Sequence, residues 1–382
     1  MFRNSVTVDP AAIQAALATV LDPEINRPIT DLGMVKGVKD HGDGRITVEV
    51  WLTVAGCPMR ETITSRVTSA VSSVEGVRQV TVNLDVMSDE QRSALRNTLR
   101  GHDAREIPFN QPGSLTRIYA IASGKGGVGK SSITANLAAA MADQGLSVGL
   151  LDADIYGHSI PRLLGATGAP TMVEGLIMPP IGHGVRVMSM LPFKPGGALQ
   201  PVAFRGPMLH RALEQFLTDV WWGDLDVLLL DLPPGTGDIA ISTAQLLPQA
   251  ELIVVTTPQP AAADVAVRAG TLAEQTKQRV AGVIENMSAF ACPHCGEPVD
   301  LFGVGGGALV AEQIGKVIGV NVPLLASIPF DVALRTGGDD GRPLVLSAPQ
   351  SAAGKALRNL AASLSKRSLV GMSLGLTPNS RS

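Results

Sequence analysis

The sequence predicts an α/β fold: a mostly parallel sheet covered by helices, preceded by a small α+β domain. Short apolar runs of the buried type recur at 118–122, 148–151, 185–190, 227–232, 252–256, 280–284 and 324–328. They are continuously apolar rather than alternating, as strands buried on both faces must be. Helical patterns separate most of them, at 133–142, 208–217, 239–247, 260–275 and 309–318. Strands alternating with helices point to a parallel sheet, and such sheets bind ligands at the carboxyl ends of their strands.

A chain of 382 residues exceeds what one hydrophobic core usually organises, and 45% hydrophobic content is ample for buried sheets. A net charge of -3 gives no bulk attraction to nucleic acid, so none is expected as a partner. The opening residues, MFRNSVTVDPAAI, lack an apolar signal core, and no apolar run approaches a membrane span. A soluble, cytoplasmic protein without membrane contact is expected. Three cysteines in so long a chain are no disulfide framework, so each thiol needs its own reason.

Residues 1–100 are expected to form the α+β domain. Asp9-Pro10 opens a capped helix through Ile13, Leu17, Val20 and Leu21. Strands at 33–39 and 45–53 are joined by the turn His41-Gly42-Asp43-Gly44, and a helix (59–74), a strand (77–86) and a charged helix (89–100) follow. Cys57 lies between a strand end and a helix start, where a helix dipole favours thiolate, although a small buried thiol fits equally well. The polar stretch 101–116 reads as a linker, 117–364 as the second domain, and 365–382 as a disordered tail whose glycines at 371 and 375 interrupt any amphipathic face.

The second domain opens with strand, glycine loop and helix in the order phosphate binding needs. Gly124-Lys125-Gly126-Gly127-Val128-Gly129-Lys130-Ser131-Ser132 contains the GxxxxGK(S/T) pattern. Its glycines reach positive φ without steric cost, so successive amides can turn toward phosphate oxygens at the helix N-terminus. Lys130 would meet the β- and γ-phosphates, and Ser131 would ligate magnesium. The strand at 148–151 ends in Asp152-Ala153-Asp154, two carboxylates placed to hold magnesium through water and to orient an attacking water. A plain capping role for Asp152 also fits. The run before Asp231 has the form of a Walker B strand, with Asp231 at the magnesium shell and the following Pro233-Pro234-Gly235-Thr236-Gly237 turn placed to sense the γ-phosphate.

Lys125, directly after the first loop glycine, carries a resemblance. The two-lysine loop is similar to the deviant Walker A of partitioning, septum-positioning and nitrogenase-iron-protein ATPases. That resemblance implies a nucleotide-sandwich homodimer in which Lys125 reaches the partner's nucleotide. It also implies that Asp154 is the hydrolytic switch I aspartate, in a segment departing from the family pattern only by His158 in place of proline. Asn286, in the strand-exit run Glu285-Asn286-Met287-Ser288, is implied to pair with adenine, and hence to select ATP; a turn-capping asparagine is the alternative.

Cys292-Pro293-His294-Cys295-Gly296 follows. No second CxxC completes a zinc site within one chain, and Gly296 and Pro298 break the helix that a thioredoxin-like pair would open. On the two-fold axis that the dimer implies, two thiolates per chain become four. Such a set suits a [4Fe-4S] cluster or an interfacial zinc. The whole series, with Arg205-Gly206-Pro207-Met208 and the DPE, DLG and GCP motifs at Asp22, Asp31 and Gly56, resembles the Mrp/ApbC type of iron–sulfur cluster carrier ATPase over residues 10–360. The resemblance implies ATP, magnesium and a cluster as cofactors, and recipient apoproteins as partners. The competing expectation is a ParA/MinD-like positioning or partitioning switch without a metal centre.

Overall fold

The computed structural model describes residues 8–25, 27–53, 59–100, 106–154, 157, 159–189, 206–259, 268, 271–292 and 294–365. In chain order the strands are β1 (Val35–Asp40), β2 (Arg45–Leu52), β3 (Gln79–Val86), β4 (Arg117–Ser123), β5 (Val148–Asp152), β6 (Thr171–Val173) and β7 (Leu176–Met178). They continue with β8 (Ile181–Gly182), β9 (Val185–Ser189), β10 (Val227–Asp231), β11 (Glu251–Thr256), β12 (Val280–Ala291), β13 (Pro298–Val299) and β14 (Leu324–Phe330). The chain divides into two compact units.

The first unit comprises Met1–Ser114, Gly168–Pro180 and His210–Gly223. Helix α1 (Pro10–Ala18) starts where Asp9 accepts the Ala11 amide and Pro10 fixes the first turn. β1 and β2 form the expected antiparallel hairpin, while β2 and β3 run parallel across helix α2 (Arg60–Ser72), and helix α3 (Asp89–Arg100) follows β3. Their inward faces bury Ile13, Leu17, Val48, Val50, Ile63 and Val67. The same core takes in Val173, Leu176, Met178 and Trp221. A division at a single linker, 101–116, therefore does not describe this unit. Two later segments complete its core, because their apolar side chains pack with the N-terminal helices and sheet.

The second unit comprises Leu115–Thr167, Ile181–Leu209 and Asp224–Ser382. Its sheet runs β13-β12-β11-β4-β10-β5-β9-β8, with β14 also on β12. Its pairs are parallel except at β12–β13 and β8–β9. β4, β10 and β5, buried along almost their whole lengths, are the continuous apolar runs of the sequence. Ile121, Leu150, Leu229, Val255 and Ile284 meet Ile133 and Leu137 of helix α4 (Lys130–Asp143) and Leu357 of the helix Ala352–Ser365 in one core. β12 continues past Ile284 to Ala291, because its far end pairs with β13 and β14. Three helices after β14, Val332–Asp339, Leu344–Ser347 and Ala352–Ser365, were not anticipated. Most of the helix expected at 260–275, the tail beyond Ser365, Cys57, His158 and Arg205 lie outside the described residues. Among the described residues no helix is long and apolar enough to cross a membrane.

Candidate functional site

The central strands β4, β5 and β10 end together, and the site is built on their carboxyl ends. From β4 the chain enters the glycine loop, where Gly127 and Gly129 have φ of 81° and 80°. A side chain at Gly129 would also strike the Nδ2 of Asn286. Helix α4 then starts at Lys130 with no side-chain cap, so its first amides are left for a ligand. A cavity of about 300 Å³ opens here, lined by the loop from Lys125 to Ser132 and by Ser123, Asp154, Gly157, Ser159, Leu163 and Pro234. Lys125, Lys130, Ser131, Ser132 and Asp154 thus share one space.

The carboxylates have different environments. Asp231 is fully buried at the end of β10 and gathers the start of α4: Lys130 Nζ at 2.6 Å, Ser131 Oγ at 2.6 Å and Thr134 Oγ1 at 2.8 Å. Asp152, its register partner on β5, is buried beside it and accepts the amides of Asp154, Ser159 and Ile160. Burial, and then the Asp231 charge, push the Asp152 carboxyl up to about 7. Asp152 therefore caps the turn after its strand as well as standing next to the Walker B carboxylate. Asp154 is half-buried, lines the cavity and accepts the Gly157 amide at 2.8 Å. Sequence reading missed Thr134. One helical turn beyond Lys130, it is placed by the i to i+4 spacing to face the same carboxylate.

A second cavity, about 290 Å³, adjoins the first and shares Gly129, Ser132 and Leu163 with it. Asn286, Met287, Pro329, Phe330 and Asp331 form part of its wall. Asn286 is 2% exposed; Nδ2 donates to the Val128 carbonyl at 2.9 Å, and Oδ1 is buried with no hydrogen-bond partner. This asparagine braces the glycine loop and keeps an unused acceptor next to a cavity contiguous with the phosphate cradle. A base with an exocyclic amine fits that donor–acceptor balance. Of this wall, sequence reading named only Asn286. Pro329-Phe330-Asp331 at the end of the run 324–328 was the available signal, since ligands gather at strand ends.

The cysteines close the β12–β13 hairpin. The Cys292 amide donates to Glu297 O at 2.9 Å and the Gly296 amide to Cys292 O at 2.8 Å, with Gly296 at a φ of 77°. Cys292 is half-buried and Cys295 exposed. Hydrogen bonds to the Cys292 thiol from the backbone amides of Cys295 and His294, then from the Cys295 thiol, pull its pKa down. Two soft donors, one held toward thiolate, suit a thiophilic metal centre. Among the described residues no three His, Cys, Asp or Glu side chains gather as a metal site. A turn leading into β13, not a helix, follows the pair, unlike a thioredoxin-type motif.

The parallel sheet, the left-handed glycine loop and the lysine and serine held on the carboxylate of the neighbouring strand define a P-loop nucleoside triphosphatase. Residues 114–365 match the family described as NUBPL iron-transfer P-loop NTPase, and 10–84 match the iron-sulfur cluster assembly protein family. The chain belongs to the NUBPL iron-transfer P-loop NTPase family. It is 62% identical to an iron-sulfur cluster carrier protein of Mycobacterium tuberculosis, with 97% of each chain covered. It is 42% identical to one of Deinococcus radiodurans, with 92% of this chain and 94% of that one covered. Among solved structures, a nucleotide-binding protein from Archaeoglobus fulgidus in complex with ADP, with cobalt, shares 38% identity at a TM-score of 0.51, over 61% of this chain and 89% of its own.

Proposed function

We propose that the chain is a cytoplasmic ATPase that holds an iron–sulfur cluster on Cys292 and Cys295 and passes it to recipient apoproteins. The observation that carries this reading is that one strand, β12, bears Asn286 beside the nucleotide loop and leads directly into a thiol pair, half-buried Cys292 and exposed Cys295. Two copies would set four thiolates around a bridging [4Fe-4S] cluster, the cargo of the reaction. Family membership and the names of the relatives support the cargo; the two-lysine loop supports the homodimer.

In this reading Gly124, Gly126, Gly127, Val128 and Gly129 present amides to the phosphates, with Ser132 at the junction toward the nucleoside. Lys130 moves from Asp231 to the β- and γ-phosphate oxygens, and Lys125 adds positive charge across the dimer. Ser131 and Asp231 would hold magnesium, with Asp152 buried beside Asp231, and the ion would supply neutralisation of phosphate charge. Asp154 orients the water that attacks the γ-phosphorus as the bond to the bridging oxygen breaks. Asn286 Oδ1 accepts from the adenine amine. Because a nucleotide drives only what it binds differently in two states, ATP would act by changing the geometry around the cysteines.

Single-turnover hydrolysis tests the nucleotide half: Lys130→Ala and Asp154→Ala are expected to slow it at least about a hundredfold. Unchanged rates would remove these roles. The carrier half is tested by activating an apo-dehydratase with reconstituted protein, where Cys295→Ser is expected to abolish transfer. A positioning switch without a metal centre would instead be indifferent to that change, and the CxxC pair, with Cys295 exposed and the Cys292 thiol drawn toward thiolate by backbone amides, speaks against it.

A further inference from the structure

The outer half of β12 is not held by an unbroken ladder. Asn286 pairs with Ile328 of β14, but the next paired residues are Phe290 and Phe330, so the stretch 287–289 faces Pro329 alone. Within that stretch Met287 has a φ of 59°, a left-handed conformation that side-chain-bearing residues rarely adopt. The bulge separates the loop-bracing end of the strand, at Asn286, from the cysteine-bearing end. Across the break the link is made by rings. Phe290 meets Phe330 edge-on, with centroids 5.7 Å apart and planes at 73°, and Phe302 leans on Phe330 at 6.1 Å. Phe330 also forms a wall of the cavity that adjoins the phosphate cradle. Phe290 stands two residues before Cys292. Close-packed rings transmit displacement in steps rather than yielding smoothly.

We propose that Phe330 and Phe290 form the link through which an occupied nucleoside cavity sets the conformation of the Cys292–Cys295 hairpin. It rests on the reading of that cavity as the nucleoside subsite. A base entering it touches Phe330. Phe330 repositions Phe290, and the bulge at Met287 lets the cysteine end turn while Asn286 stays on the loop. Phe290 is thus a positioning residue: it does not line the cavity and acts through Phe330. By linkage, a cargo that fixes the hairpin changes nucleotide affinity by the same factor.

The test is hydrogen–deuterium exchange of the peptide covering 288–299 in the apoprotein, with and without saturating magnesium–ADP, with ADP affinity measured on the same samples. In the wild type, ADP is expected to change exchange at the hairpin amides of Cys292 and Gly296 by at least about threefold, within what one ring pair can transmit. Phe290→Leu is expected to bind ADP within about twofold of the wild type yet lose that response, and Phe290→Tyr, which keeps the ring, to retain it. Phe290→Met serves where leucine disorders the hairpin, and unchanged ADP affinity verifies that the variant is folded. Bound ADP with an unresponsive wild-type hairpin overturns the link and leaves the ATPase reading intact. A Phe290→Leu hairpin that responds like the wild type overturns it too. Wild-type protein that fails to bind ADP contradicts the nucleotide reading itself, and the link falls with it.

Discussion

Lys130 and Asp231 are buried against each other, 6% and 0% exposed, so neither tolerates loss of its partner. Asp231→Ala leaves a buried ammonium uncompensated and is expected to destabilise the protein by about 3–5 kcal/mol in denaturant unfolding, in addition to abolishing hydrolysis. Gly129 is constrained twice, by its φ of 80° and by Asn286 Nδ2. Gly129→Ala should therefore expel the Asn286 brace and weaken ADP binding at least about tenfold by titration calorimetry, with the fold intact by circular dichroism. Asp152 gives a pH dependence. Its carboxyl, near 7 in the folded chain, holds its proton more tightly than in the unfolded one, where it titrates near 3.8. Its contribution to stability is therefore fully present below the unfolded value and declines as pH rises toward 7. Magnesium favours the ionised form, so magnesium–nucleotide binding should release up to about one proton below pH 7 and tighten by up to about tenfold per pH unit, levelling off above. Of the side chains facing Asp152, Asp231 pushes its pKa up and Lys130 pulls it down. Asp152→Asn should flatten the profile; an unchanged profile in that variant would place the proton elsewhere.

Glu285, buried on β12, accepts the Gly307 amide at 2.7 Å and stands 3.3 Å from Ser327 Oγ, so its charge sits at the N-terminus of the helix Gly306–Ile318. Glu285→Ala should lower stability by about 1–3 kcal/mol, seen as a shift of the denaturation midpoint, while Glu285→Gln, which keeps an acceptor, should recover part of it. No feature of the sequence singles out this contact, because Glu285 reads only as the polar end of an apolar run. What was legible at this scale was whatever apolar continuity encodes. β4, β5 and β10 and their terminal Ser123, Asp152 and Asp231 follow directly from buried runs ending in polar residues. The outer half of β12 was not legible. Its residues from Met287 to Phe290 are half-buried, without alternation, and are held by pairing with β13 and β14 rather than by burial. The helix Ala352–Ser365 was missed for a related reason: its buried face includes Ala353, Gly354 and Ala361, small residues that give a weak periodic signal.

At the scale of the whole molecule, the surprise is the first unit. Val173, Leu176, Met178 and Trp221 lie far along the chain but are buried in the core of Ile13, Leu17 and Val67. Local patterning cannot reveal that, since an apolar hairpin of three-residue strands announces no partner. A chain truncated to 115–382 would expose these side chains, at about 1.5–3 kcal/mol each, and should unfold earlier or aggregate. A truncated chain with the full-length melting temperature would contradict that account. The nucleotide motif was readable, because phosphate binding imposes a fixed local sequence of strand, glycine loop and helix. The cysteine pair was readable as a motif, but its position at the end of Asn286's own strand was not.

The bridging cluster is measured by anaerobic reconstitution with iron and sulfide, followed by analysis of both elements and of the mass of the species by light scattering. A cluster bridging two chains gives about four iron and four sulfide per two chains, absent from Cys292→Ala/Cys295→Ala. Failure to retain a cluster, or an equal cluster content in the double variant, would contradict it and leave a nucleotide switch whose cargo lies elsewhere.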